Sequence, residues 1–187
     1  MADVYIALIH HPVYDKTQKV VTTSITNMDI HDIARSALTY GVKRYFVVHP
    51  VRALQALAEK ILDHWQSGHG SVYNATRRDA LSIVSLADSL EEVRAVITRS
   101  TGQPPRVIAT SAKGGEDRLS FVDLRESLQH EQCPILLLLG TGWGLTQEVF
   151  AQAEAILEPI QGCGAYNHLS VRAAAAIMLD RLLGTPS

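Results

Sequence analysis

The sequence predicts an α/β fold, a mostly parallel sheet flanked by helices. Two observations carry this. Five short runs rich in Val, Ile and Leu alternate along the chain with segments whose apolar residues recur at three- and four-residue spacing. The last of these runs, Ile135 to Leu139, is apolar without a break, as a strand buried on both faces of a parallel sheet must be. The 187 residues are read as one domain, residues 1–187. A hydrophobic content of 47% is enough to build a core.

The expected strands are residues 4–9, 44–49, 81–86, 106–110 and 134–139. Between them, residues 29–40 place Ile30, Ile33, Ala34, Ala37 and Leu38 on one helical face, with Asn27 or Asp29 as N-cap and Gly41 as C-terminal stop. Residues 51–65 do the same with Leu54, Leu57, Ala58, Ile61 and Leu62. Residues 89–100 carry Leu90, Val93, Val96 and Ile97, and residues 120–131 carry Phe121, Leu124 and Leu128. The alanine-rich segment 166–184 reads as a terminal helix capped by Asn167 or Ser170. Residues 10–24 and 66–79 are polar and read as loops, and Pro104-Pro105 as a stiff turn.

Composition excludes several classes. The net charge of −2 leaves no global basic footprint, so any nucleic-acid contact has to be local. Two cysteines, Cys133 and Cys163, have no metal-ligand spacing and read as reduced thiols, and no metal is expected. No apolar run approaches the ~20 residues of a membrane span. The N-terminus passes straight into a strand pattern without a signal-peptide charge region, which makes the cytoplasm the expected location.

The strongest constellation is Gly140-Thr141-Gly142-Trp143-Gly144 at the carboxyl end of the last strand, where open α/β sheets bind ligands. Its glycines let a ligand approach the backbone. The competing reading is a tight turn around a core tryptophan. The loop lacks the spacing of a dinucleotide fingerprint and the lysine of a phosphate-binding P-loop. His10, His11 and Tyr14, near Lys16 and Lys19, make a loop that could meet RNA by stacking and phosphate pairing, or simply be solvated. Arg77-Arg78 is the best phosphate candidate among the scattered cations. On the first helix, Asp32 or His31 shares a face with Arg35 and can pair with it. No nucleophile elbow is present.

Taken together, LLLLGTGWGL, ILEPI and YNHLSVRAAAAIMLDRLLG resemble the cofactor-binding end of the SPOUT class of RNA methyltransferases. The HHPV loop, TNMDIHDIARSALTYGVKRYFVV and VIATSA extend the resemblance over nearly the whole chain, toward a bacterial S-adenosylmethionine-dependent family related to the tRNA guanine-N1 methyltransferases. The resemblance implies a deep C-terminal trefoil knot, which periodicity would never suggest. It also implies S-adenosylmethionine as cofactor, an RNA substrate and a homodimer. By the same resemblance the cofactor lies among three loops: Thr110 and Ser111; Leu139, Gly140, Thr141, Gly142, Trp143, Gly144 and Leu145; and Ile160, Tyr166, Asn167, Leu169 and Ser170. Asn27 and Arg35 match in type and approximate spacing the pair that opens the first helix in ribose-methylating members. Asn167 is a third catalytic candidate, and Arg172 an RNA contact. The guanine-N1 relatives use an aspartate near the knot, and residues 162–170 contain none, so base and ribose acceptors both stay open. The alternatives are a knotted RNA-binding or regulatory domain without catalysis, and an unknotted nucleotide-binding domain.

Overall fold

The computed structural model describes residues 1–67, 74–164 and 166–185. Nine strands and seven helices follow one another among these residues. They are β1 (Val4–Ile9), β2 (Val13–Tyr14), β3 (Val20–Val21), α1 (Asn27–Thr39), β4 (Arg44–Val48), α2 (Arg52–Gln66), α3 (Ala75–Leu81), β5 (Val84–Ala87), α4 (Leu90–Thr101), β6 (Arg106–Ala109), β7 (Arg118–Leu119), α5 (Phe121–His130), β8 (Ile135–Gly140), α6 (Gln147–Phe150), β9 (Ala155–Leu157) and α7 (Val171–Leu183).

Seven strands form one sheet in the order β5-β4-β1-β8-β6-β9-β7, and every pairing in it is parallel. The unbroken apolar runs are explained by burial on both faces. Val4, Ile6 and Leu8 of β1 and Ile135, Leu137 and Leu139 of β8 point to one side, where α1, α2, α3, α5 and α7 cover them. Tyr5, Ala7, Ile9, Leu136 and Leu138 point to the other, under α4 and α6. The alanines of α7 permit close packing against α1, and Ala175, Met178, Leu179 and Leu182 are its buried residues.

The five expected strands and the main helices are present, with local corrections. Residues 10–24 hold the antiparallel pair β2–β3 rather than only loop. The expected loop over 66–79 ends in a helix: Asn74 caps α3, accepting from Arg77 N at 3.0 Å, so Arg77 and Arg78 stand on a helix. Residues 68–73 of that expected loop lie outside the described residues. Because α3 runs to Leu81, the next strand starts at Val84 rather than at residue 81. β7, β9 and α6 are two to four residues long, too short for periodicity to reveal. The N-cap of α1 is Thr26, whose hydroxyl accepts from Asp29 N at 3.1 Å, in place of Asn27 or Asp29. Ser170 caps α7 by accepting from Ala173 N. Gly41 follows α1 with φ +73°, the left-handed stop expected of it.

Candidate functional site

The carboxyl ends of β4, β1, β8 and β6 lie side by side, and the loops that leave them make the site. The glycine loop leaves β8 at Gly140. It is laced to the loop after β1: Trp143 N donates to Tyr14 O at 2.9 Å, Tyr14 N donates to Gly144 O at 2.9 Å, and Val13 bridges Leu145. Gly142 has φ +59°, and a Cβ there would lie 2.9 Å from Tyr14 O. Only glycine lets the two loops close to this distance. Trp143 is 60% exposed, so it is not the core residue of the competing reading.

Beneath the loop runs a chain of hydrogen bonds. Thr141 Oγ1 donates to Ile9 O at 2.9 Å. With that proton turned to Ile9 O, the Thr23 hydroxyl donates across a 2.5 Å contact to Thr141 Oγ1, closer than its other acceptor, His10 O, at 3.4 Å. Thr23 Oγ1 in turn accepts from His10 Nδ1–H at 3.0 Å. His10 is neutral in this arrangement, and its Nε2 is buried with no hydrogen-bond partner among the described residues. Burial chiefly, and then the neighbouring His49, lower its pKa from the usual 6.5 to about 4, while Asp29 pulls the other way. His49 accepts from Val51 N at Nδ1 (3.0 Å), so its Nε2–H donates to Thr23 O at 3.0 Å. Its pKa is also lowered, mainly by burial.

The third loop segment is tied to the β6 end by Asn167 Nδ2, which donates to Ala112 O at 3.1 Å. Thr110 is buried, with its hydroxyl donating to Leu138 O at 2.8 Å, and Ser111 Oγ accepts from Lys113 N. Ile160 packs on the core, while Tyr166 and Leu169 are exposed. Leu139 and Leu145 are almost fully buried and can offer a ligand only their backbone. At the start of α7, Arg172 reaches α1, with Nη1 3.1 Å from Asp29 Oδ1 and Nε 3.4 Å from Asp32 Oδ2. This double ion pair sets the amino ends of α1 and α7 together and occupies Arg172, the expected RNA contact.

Several expected residues stand elsewhere. Asp32 serves Arg172 and not Arg35, and His31 packs edge-on against Trp65 at 5.5 Å. Asn27 opens α1 exposed to solvent. Arg35, also exposed, lines a shallow groove of about 420 Å³ with Ser36, Thr39, Tyr40 and Ala176. It is six residues beyond Asp29, ~9 Å along the helix. His10 lies under its loop rather than on it, and only His11 and Tyr14 of that set reach the surface. Arg77 stacks over Trp65 at 4.5 Å, and Arg78 pairs with Asp79 at 3.2 Å. Both cysteines are free thiols. Thr23 and His49 were missing from the expected set. Thr23 meets Thr141 across 118 residues of sequence, a relation that no local spacing encodes.

A family profile described as SAM-dependent RNA methyltransferase matches residues 3–184. The chain belongs to that family. It is 43% and 44% identical to proteins named tRNA (guanine-N(1)-)-methyltransferase from Oleidesulfovibrio alaskensis and Nitratidesulfovibrio vulgaris, over 97% of its own length in each case. It spans only 42% of the length of each of those relatives. An uncharacterized Aquifex aeolicus protein is 39% identical over 96% of this chain and 88% of that one. Among solved structures, an AdoMet-bound rRNA methyltransferase from Sinorhizobium meliloti has TM-score 0.58 at 18% identity, covering 96% of this chain and 55% of that one. A TrmH/SpoU tRNA modifying enzyme from A. aeolicus has TM-score 0.55 at 14% identity, covering 97% and 73%. These likenesses establish a SPOUT methylase fold for this family member. Among the described residues no helix is long and apolar enough to cross a membrane, and no group of three or more His, Cys, Asp or Glu could hold a metal.

Proposed function

We propose that this chain transfers the methyl group of S-adenosylmethionine to RNA. The observation that carries the reading is the glycine loop at the end of β8. Gly142 is exposed and Gly140 and Gly144 are half-buried at the carboxyl end of β8, while the other side of the loop is pinned by Tyr14 and Thr23. An adenosyl group needs backbone partners and flat apolar contact, and this loop, Ile160 and Leu169 have the chemistry to offer both. The residues therefore fit the cofactor. When bound, it supplies an electrophilic methyl on a sulfonium.

The chain's own part is to hold and align. Gly140, Thr141, Gly142, Gly144 and Leu145 grip through the backbone, with Thr110, Ser111, Tyr166 and Ser170 around them. Asn167, already fixed to Ala112 O, orients the target. The contribution of the Arg35 guanidinium is electrostatic: it lowers the cost of proton loss at the acceptor. Asn27 stands at the mouth of the same helix. His11 and Tyr14 meet the RNA with Lys16 and Lys19 beside them, and the site works in the cytoplasm.

A deep trefoil knot is part of this reading. The Asn167–Ala112 tie, the position of β8 between β1 and β6, and the likeness to SPOUT folds support it. A homodimer is part of it too. Met28 and Leu38 of α1 are 59% and 39% exposed, and a second copy would cover them. Transfer RNA is the first substrate to try because two relatives carry it in their names, but their named activity belongs to polypeptides more than twice as long. The test is transfer of labelled methyl from S-adenosylmethionine to bulk bacterial tRNA and rRNA. Nuclease digestion and mass spectrometry then separate base from ribose products. Arg35→Ala should cut transfer by about 10²-fold or more, with stability within about 0.5 kcal/mol of the parent because the side chain is exposed. Undiminished transfer would remove Arg35 from the acceptor site.

A further inference from the structure

Thr23 stands where three adjacent strands end, and each of its polar atoms is committed. Its N–H donates to His10 O at 2.9 Å, at the end of β1. Its carbonyl accepts from His49 Nε2, just beyond β4. Its hydroxyl accepts from His10 Nδ1 and donates to Thr141 Oγ1, inside the glycine loop that leaves β8. Its methyl lies 3.3 Å from where a Cβ of Gly142 would be. Three residues later Thr26 caps α1. Among the described residues the hydroxyl is thus the side-chain link in this chain of bonds between the glycine loop and the segment that launches α1. Thr23 is backed by two imidazoles, His10 at the hydroxyl and His49 at the carbonyl.

We propose that Thr23 is the positioning residue of the cofactor loop. Its hydroxyl, held between His10 and Thr141, fixes where the glycine loop presents its backbone to S-adenosylmethionine and ties that loop to the start of α1. The inference rests on the cofactor site described above. A hydroxyl is required because one atom must accept from an imidazole and donate to a second hydroxyl at once. Valine fills the same volume but leaves the part-buried His10 Nδ1–H without its partner and Thr141 Oγ1 with Ile9 O alone. Serine keeps the bonds and loses only the methyl.

The experiment measures the dissociation constant of S-adenosylhomocysteine by calorimetry for the parent, Thr23→Val, Thr23→Ser and Thr141→Val. Hydrogen exchange of the amides of residues 140–145 is followed in the same four proteins. Thr23→Val should weaken binding about tenfold and speed exchange in the loop. Thr141→Val should do the same, while Thr23→Ser should stay within about threefold of the parent. Where Thr23→Val does not fold, the comparison of Thr141→Val with Thr23→Ser carries the result. Equal affinity and equal loop exchange in all four would overturn the positioning role and leave the cofactor site standing. A parent protein that does not bind S-adenosylhomocysteine would overturn the site itself and this inference with it.

Discussion

Acidification should destabilise this protein well above the range in which carboxylates titrate, through His10. The buried imidazole has its pKa lowered to about 4, whereas in the unfolded chain it returns to 6.5. Between these values the unfolded chain holds a proton that the folded chain does not, so stability falls as pH drops through the window and is fully present above pH 6.5. Taking both values, the loss between pH 7.5 and pH 5 is about 2 kcal/mol, a large share of an ordinary domain's stability. His49 and His31 are lowered too, chiefly by burial, and act with the same sign. The contribution of His10 is isolated by urea denaturation at the two pH values for the parent and for His10→Asn. Asparagine can place an N–H near the position of Nδ1 and does not titrate. The variant should lose about 2 kcal/mol less than the parent over this interval. The same pH dependence in both would refute the burial argument, as would an imidazole resonance of His10 that titrates near 6.5 in the folded protein.

Two further perturbations follow from the geometry. Gly142→Ala places a Cβ at φ +59° and 2.9 Å from Tyr14 O. It should cost about 1–2 kcal/mol from the left-handed backbone alone, read by urea denaturation, and accelerate hydrogen exchange at Trp143 N. Arg172→Ala removes the partner of Asp29, whose side chain is only 10% exposed. It should cost about 1–3 kcal/mol, whereas Lys43→Ala, which breaks the exposed pair with Asp3, should change stability by less than about 1 kcal/mol in the same assay.

The architecture was legible where long elements carry their own period. Ile135 to Leu139 has the length and flanks of a strand covered on both faces, α1, α4 and α5 show their buried stripes in sequence, and α1 shows its stop at Gly41. The helix at the end of 66–79 is hidden from its sequence for a physical reason. α3 is seven residues long, with a single turn of buried residues, Ala80 and Leu81, and its cap Asn74 reads equally well as a turn residue. β7 and β9 owe their strand form to neighbours already in the sheet. At the site, the glycine loop announced itself because backbone closeness needs glycine wherever it occurs. The network beneath it did not. His10 reads as an exposed loop histidine, an RNA contact or a solvated one, because nothing in HHPVY records that Thr23, Thr141 and His49 close over it. Arg172 looked like a free cation because Asp29 and Asp32, its partners, lie more than 130 residues away.

The most direct test of the central claim is calorimetric titration of the purified chain with S-adenosylhomocysteine, alongside NAD and ATP and with and without bulk tRNA. The expected result is saturable binding of one S-adenosylhomocysteine per chain, weakened by Gly142→Ala, and no comparable binding of NAD or ATP. Absence of S-adenosylhomocysteine binding both with and without tRNA would contradict it, as would preferential binding of NAD or ATP.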